Sequence, residues 1–217
     1  MTQHDPSEAD WKARLVAGAR ALRVKLAPTQ SDALWRLALA LRERNAQVNL
    51  TAVDTLDGIL SVHILDSLSV VAHLGAARRL IDVGTGGGFP GLPLAIACPE
   101  REFVLIDGTQ KKITFVQQMI DALRLTNAQA HALRAEQYRP TELFDVVIVR
   151  AVAALEKLIK QTGHLLRRPD GLILAMKGKH PEAEIAALPR GWHAAAVPLN
   201  VPTLAAERTL ITLSRSR

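Results

Sequence analysis

The residues with the clearest chemical potential lie in one run, Asp82-Val83-Gly84-Thr85-Gly86-Gly87-Gly88-Phe89-Pro90-Gly91. Glycine reaches positive φ without penalty and carries no Cβ, so such a run can turn sharply and admit a ligand against its backbone. It follows the short apolar stretch Leu80–Val83 and opens a helix-like segment, the context in which a nucleotide-type loop makes physical sense. A second candidate, Asp107, ends the next apolar stretch, 19 residues beyond Gly88. A carboxylate there can accept both hydroxyls of a ribose, at about 1.5–3 kcal/mol per charge-assisted bond. Followed by Gly108, it also suits a plain strand-ending turn.

Two spacings overlap in the glycine run. Gly86, Gly88 and Gly91 satisfy the G-x-G-x-x-G fingerprint of dinucleotide sites. Gly84, Gly86 and Gly88 behind Asp82 satisfy a D-x-G-x-G-x-G spacing that resembles S-adenosylmethionine-dependent methyltransferases. The prolines separate the two. A pyrophosphate is held by free N–H groups in the first helical turn, and Pro90 and Pro93 remove two of those donors. S-adenosylmethionine has no phosphate, so this cofactor is the expected one.

The elements that must position these residues change character along the chain. Leu34, Leu37, Leu41 and Val48 recur at helical spacing behind a Ser31-Asp32 start signal, and Leu56, Leu60, Ile64, Leu68 and Val71 form a second stripe capped by Asp54 or Thr55. From Arg79 onward, apolar runs at 80–83, 103–106, 144–149 and 172–176 alternate with helical segments at 91–97, 111–125 and 155–166, with a weaker run at 128–133. That alternation predicts an α/β fold, Rossmann-like, with a mostly parallel sheet. Segments 192–201 and 208–213 read as an antiparallel pair at the sheet edge. The expected organisation is an amino-terminal helical extension over 1–75 on a methyltransferase core over 76–217, compact as one domain.

Composition narrows the partners. The chain has 217 residues, 48% hydrophobic but only 4% aromatic, which favours a core of Leu, Ile, Val and Ala. A net charge of +6 suits a polyanion, because cation–phosphate pairing releases counterions. The only cysteine, Cys98, excludes an internal disulfide and a multi-cysteine zinc site, and the histidines lack paired metal spacing, so no metal is expected. The opening residues are too polar for a secretory signal, and the apolar stretch 56–74 is interrupted by Asp57, His63, Asp66 and His73. The expectation is a cytoplasmic protein with no membrane partner. No Asn/Asp-Pro-Pro-aromatic sequence follows the fourth strand, which disfavours exocyclic-amine methylation. Cys98 lies far from that strand, which disfavours cysteine-assisted pyrimidine chemistry.

From about Asn45 to Leu213 the chain resembles the bacterial 16S rRNA guanine-N7 methyltransferases, also called glucose-inhibited division protein B. The likeness rests on Asn49-Leu50-Thr51, His63-Ile64-Leu65-Asp66-Ser67, the run from Ile81 to Pro93, Arg150-Ala151, Lys177-Gly178 and Glu207-Arg208. It implies methyl transfer to guanine N7 at position 527 of 16S ribosomal RNA, on the naked RNA or a small-subunit precursor. It also implies cofactor contacts at Gly84, Phe89, Ala135, Glu136 and Arg150, beside Gly86 and Asp107 from the reading above. Three positions depart from the family pattern: Gly87 for Pro, Phe89 for Leu and Gly108 for Ser.

The other polar candidates have two readings each. Arg150 ends the fourth strand, at the edge where ligands bind in such sheets, or forms a surface ion pair with Glu136 or Asp145. His63 and Asp66 share a helical face, as substrate-side residues or as a histidine held by its neighbour. Lys177 meets phosphate or is a solvated loop lysine, and Asn49 contacts substrate only on the strength of the resemblance. No catalytic base is expected, because N7 of neutral guanine already presents a lone pair. A small-molecule methyltransferase and a non-catalytic RNA-binding assembly factor are the rival readings, and the expected state is a monomer.

Overall fold

A computed structural model describes residues 5–150, 153–179 and 181–216; Ala151, quoted above beside Arg150, lies outside them. Five strands run parallel: β1 (Arg79–Val83), β2 (Glu102–Asp107), β3 (Ala128–Ala132), β4 (Val146–Arg150) and β5 (Leu172–Lys177). β6 (Trp192–Pro198) and β7 (Thr209–Arg215) complete a sheet of order β3-β2-β1-β4-β5-β7-β6. β7 is antiparallel to both β5 and β6, so the expected edge pair is present and the weak run at 128–133 is a strand. The chain steps outward from β1 to β3, then crosses back to β4. That reversal leaves a crevice beyond the carboxyl ends of β1 and β4, where ligands bind in open α/β sheets.

The strands are apolar on both faces because helices cover both. Leu80, Phe103, Leu105, Val146, Ile148 and Leu174 face one layer; Ile81, Val104, Ile106, Val147, Val149 and Ile173 face the other. The first layer holds α1 (Glu8–Ala21), α2 (Pro28–Val48), α5 (Gly91–Ala97) and α6 (Gln110–Leu123). It also holds a continuous helical segment made of α3 (Leu56–Gly58), a π-helical stretch Ile59–Leu65 and α4 (Asp66–Leu68). The second layer holds α7 (Leu155–Thr162), with α8 (Glu182–Ala186) beside it.

Two local details differ from the sequence reading. α2 begins at Pro28 rather than at Ser31, because proline presets the helical φ and Gln30 reaches back to accept the Ala27 amide at 2.8 Å. The second stripe is not a plain α-helix, since its middle turn widens into the π form, a feature frequent at functional sites. Thr55 caps it, accepting the Gly58 amide at 3.1 Å. The stretch Leu56–His73 is long and apolar enough to cross a membrane by composition, but 61% of it is buried inside the protein.

The amino-terminal helices share one hydrophobic cluster with the sheet. Trp11 is fully buried, donates from Nε1 to the Leu56 carbonyl at 3.0 Å and packs on Trp35 with ring centroids 5.1 Å apart. Trp11→Ala should therefore cost about 3–5 kcal/mol of unfolding free energy. Urea denaturation would measure it, and a loss under about 1 kcal/mol would show that α1 adds little to the common core.

Candidate active site

β1 runs out at Val83, and Gly84, Gly86 and Gly88 then adopt φ of 74°, 59° and 93°. These are the three alternate glycines of the D-x-G-x-G-x-G spacing. Gly91 is needed for room instead: a Cβ there would lie 2.5 Å from Leu105 Cδ2 and 2.8 Å from Asp82 Oδ2. The loop's amides are mostly committed. Gly84 and Thr85 donate to the Ile106 carbonyl, Gly88 and Phe89 to Thr85, Gly86 to Asp107 Oδ2 at 3.1 Å and Gly91 to Asp82 Oδ2 at 2.8 Å. A pyrophosphate would find few free donors and a carboxylate already seated at the start of α5. This separates the two spacings more firmly than the prolines did.

Asp82 is fully enclosed, and one oxygen accepts both Thr85 Oγ1 at 2.6 Å and the Gly91 amide. Its Oδ1 is buried without a partner. Burial pushes this carboxyl up to about 6, against the pull of those hydrogen bonds and of Arg150. An anion short of one hydrogen bond beside an open loop suits a cationic ligand. Asp107 spends one hydrogen bond from each oxygen, Oδ1 on the Thr109 amide at 2.8 Å and Oδ2 on Gly86, with Lys112 Nζ 3.8 Å from Oδ2. A carboxylate offers about four lone-pair sites, so two remain for ribose hydroxyls. A cleft of about 320 Å³ brings Gly84 and Asp107 together with Gly108, Ala135, Glu136 and Gln161. Glu136 sits on its rim and accepts Gln161 Nε2 at 2.6 Å; its own amide and Gln161 hold the carboxyl below the usual range. The unsatisfied Asp82 oxygen, the open Gly86 and the free lone pairs of Asp107 fit S-adenosylmethionine.

The other expected residues form a second cluster across the crevice. Arg150 does not pair with Glu136 or Asp145. It donates to the Val62 carbonyl at 3.0 Å, to Asp66 Oδ2 at 3.3 Å and, through Nη2, to His63 Nδ1 at 3.2 Å. Asp66 is almost wholly buried, and its other oxygen accepts Arg208 Nε at 2.9 Å. Because the guanidinium can only donate, His63 Nδ1 is the acceptor and Nε2 carries the proton toward Thr51 Oγ1, 2.7 Å away. Phe89 is buried, stacks on His63 at 4.8 Å and lies under Arg150 at 5.7 Å. Its ring thus belongs to this cluster and not to the cleft.

Lys177 and Asn49 have settings of their own. Lys177 is bound by both oxygens of Glu184, at 3.1 and 2.9 Å, and donates to the Ala153 carbonyl. Asn49 is exposed and ends α2 in the left-handed conformation at φ 52°, which asparagine tolerates well. Of Asn49-Leu50-Thr51, Thr51 is the residue that reaches the cluster. The sequence alone assigns no role to Thr51, Arg208 or the unsatisfied oxygen of Asp82, although Asn49-Leu50-Thr51 and Glu207-Arg208 both carry the resemblance. Cys98 is buried and its thiol is pushed up to about 11 by that burial, in keeping with a core residue.

The sequence profile of the GidB family, described as rRNA small subunit methyltransferase G, matches residues 30–211. The chain belongs to that family. A ribosomal RNA small subunit methyltransferase G of Ralstonia nicotianae is 42% identical over 217 residues, covering 96% of this chain and 97% of its own. Its counterpart in Coxiella burnetii is 38% identical and covers 94% and 98%. Among solved structures, the O-methyltransferase TomG of Streptomyces achromogenes with S-adenosylmethionine aligns over 98% of this chain and 100% of its own. The TM-score is 0.58 at 19% identity, a likeness of fold. NodS of Bradyrhizobium japonicum with S-adenosyl-L-homocysteine gives 0.52 at 19%, over 69% of this chain and 83% of its own. The GidB fold is therefore Rossmann-like and the cofactor is S-adenosylmethionine.

His63 supplies a test of this geometry. Burial first, then Arg150, lowers its pKa from 6.5 to about 3, so it stays neutral in the folded chain. Folding thus excludes a proton that the unfolded histidine would bind, and stability falls as pH drops below about 6.5, by about 1.4 kcal/mol per unit. Asp82 has the opposite sign: its raised pKa makes the folded state take up a proton, so stability rises as pH falls from about 6 toward 3.8. The two slopes oppose each other in wild-type protein. Subtracting the His63→Gln curve isolates the histidine, and the difference should fall by about 2 kcal/mol between pH 7 and 5. Parallel urea-denaturation curves for the two proteins would show that the imidazole is not held neutral.

Proposed function

We propose that this GidB-family chain transfers a methyl group from S-adenosylmethionine to N7 of a guanine in 16S ribosomal RNA, at position 527, as a cytoplasmic monomer. The observation that carries the reading is the family match over residues 30–211, with the glycine loop and the Arg150 cluster both inside it. When bound, the cofactor supplies an electrophilic methyl on a sulfonium centre. The loop and Asp107 hold the nucleoside half in the cleft, and Asp82, buried behind the loop, puts negative charge beneath it.

Guanine N7 attacks through a lone pair that exists throughout neutral pH, so the protein's work is alignment, which can supply several kcal/mol. His63 fits that account. One ring nitrogen accepts from Arg150 and the other donates to Thr51, so neither is free to take a proton from substrate. Arg150 and Arg208 share one carboxylate, leaving the cluster with an excess positive charge suited to the phosphodiester beside a target base. An Arg grip on O6 and N7 would block the nucleophile, so recognition falls to the Watson–Crick edge of an unstacked base.

Mass-spectrometric mapping of small-subunit rRNA, with and without active protein, should show one added methyl at guanine N7. Turnover on short metabolites and none on RNA would replace this reading with a small-molecule methyltransferase. Single-turnover rates at saturating enzyme and cofactor should be nearly level from about pH 6.5 to 8.5. A tenfold rise per unit, removed by His63→Gln, would make His63 a base and point to attack by an amine or hydroxyl.

A further inference from the structure

Charge is unevenly settled on the amino-terminal helices. Residues 11–31 contain five basic side chains and no acidic one. The first two are neutralised from outside this stretch: Lys12 by Glu8 and Asp32, Arg14 by Asp10 and Asp57. Arg20, Arg23 and Lys25 are exposed at the turn between α1 and α2, and among the described residues no carboxylate pairs with them. The turn is nonetheless well fixed. The Leu22, Arg23 and Val24 amides donate to the carbonyls of Gly18, Arg20 and Ala19 at 3.1, 3.0 and 2.8 Å, and Val24 is anchored in the core. Three cations held on a fixed turn without a counter-charge are preorganised for an external anion.

The shape around them is specific. The three cations surround a hollow of about 490 Å³ whose other lining is Val16, Val24 and Leu26, with Val16 exposed. A cavity of about 850 Å³ lies between Ala21, at the end of α1, and the connection from β6 to β7, and Arg208 is part of its lining. Thr209, opposite Lys177 in the sheet, puts that connection at the carboxyl edge of the parallel strands, the edge that carries the cleft and the Arg150 cluster. Ala21, next to Arg20, thus shares a cavity with Arg208, and Arg208 is joined through Asp66 to Arg150.

We propose that the α1–α2 turn is a docking surface for the substrate RNA strand, with Arg20, Arg23 and Lys25 on its phosphates and the apolar hollow against a nucleoside face. The inference rests on ribosomal RNA being the substrate. Alternating negative charge and flat apolar rings match a cationic rim around an apolar floor, whereas inorganic phosphate would use only the rim.

The test is the triple variant Arg20→Gln, Arg23→Gln, Lys25→Gln against an unmethylated small-subunit rRNA transcript. A control variant, Arg78→Gln, Arg124→Gln, Arg168→Gln, removes the same charge near the amino-terminal ends of the strands. The docking variant should bind the transcript about tenfold more weakly at 0.1 M salt, and its log–log salt slope should shrink by about 2. Its cofactor affinity and its rate at saturating RNA should match wild type, and the control should keep most of its RNA affinity. Wild-type affinity and slope in the docking variant would overturn the proposal, as would an equal loss in the control, which would indicate net charge alone. Loss of binding to phosphatidylglycerol vesicles with RNA binding intact would make the turn a membrane face instead. If wild-type protein neither binds nor methylates the RNA, the substrate reading itself fails.

Discussion

Asp66 sits in the core with 1% of its surface exposed, where an unpaired carboxylate would cost several kcal/mol. Arg150 at the end of β4 and Arg208 just before β7 both reach it, so the charge is kept by partners 84 and 142 residues away. The contact fixes the amino-terminal helices, the middle of the parallel sheet and the carboxy-terminal hairpin in one arrangement. Every group on that side of the crevice takes its place from it. Arg150 is aimed at His63 because Asp66 holds it, His63 has a single tautomer because Arg150 donates to it, and the Phe89 ring stacks on the imidazole and lies under the guanidinium. Buried ionic groups of this kind add little net stability, yet losing one partner strands the others.

Across the crevice the chemistry is set by what the glycine loop withholds. Most of its amides are spent on Ile106, Thr85, Asp82 and Asp107, so it presents curvature and open space more than hydrogen-bond donors. What remains is acidic: one unpartnered oxygen of Asp82, and Asp107 with one hydrogen bond to each oxygen and Lys112 near one of them. Such a pocket prefers a ligand with hydroxyls and a positive charge to one with phosphates.

Much of this was legible in the residues. The apolar runs alternate with helical segments because both sheet faces are covered, and the sheet follows from that. The Asp82 and Asp107 positions could be read because Asp82 stands just before the glycine run and Asp107 closes the next strand. Arg150 was found by its place at a strand end, but its partners were not, since Val62, His63 and Asp66 are near it only after the chain has folded. Arg208 was hidden for the same reason, and so was the engagement of Lys177 by Glu184. The π-helical turn left no mark either, because its apolar residues fill a stripe that a regular helix would share. Helix α2 started early because Pro28 outweighed the polar pair that follows it.

The pairing of Trp11 with Trp35 has an optical consequence. Two indoles 5.1 Å apart and tilted by 57° are close enough for their strong transitions to couple, giving the far-ultraviolet dichroism a signed doublet. The third tryptophan, Trp192, lies on the outer strand under Arg215 and packs on the other hydrophobic cluster. None of the three lines the cleft around Asp107. The intrinsic spectrum of this protein is thus a gauge of whether α1 is seated on α2, one that occupancy of the cleft need not disturb.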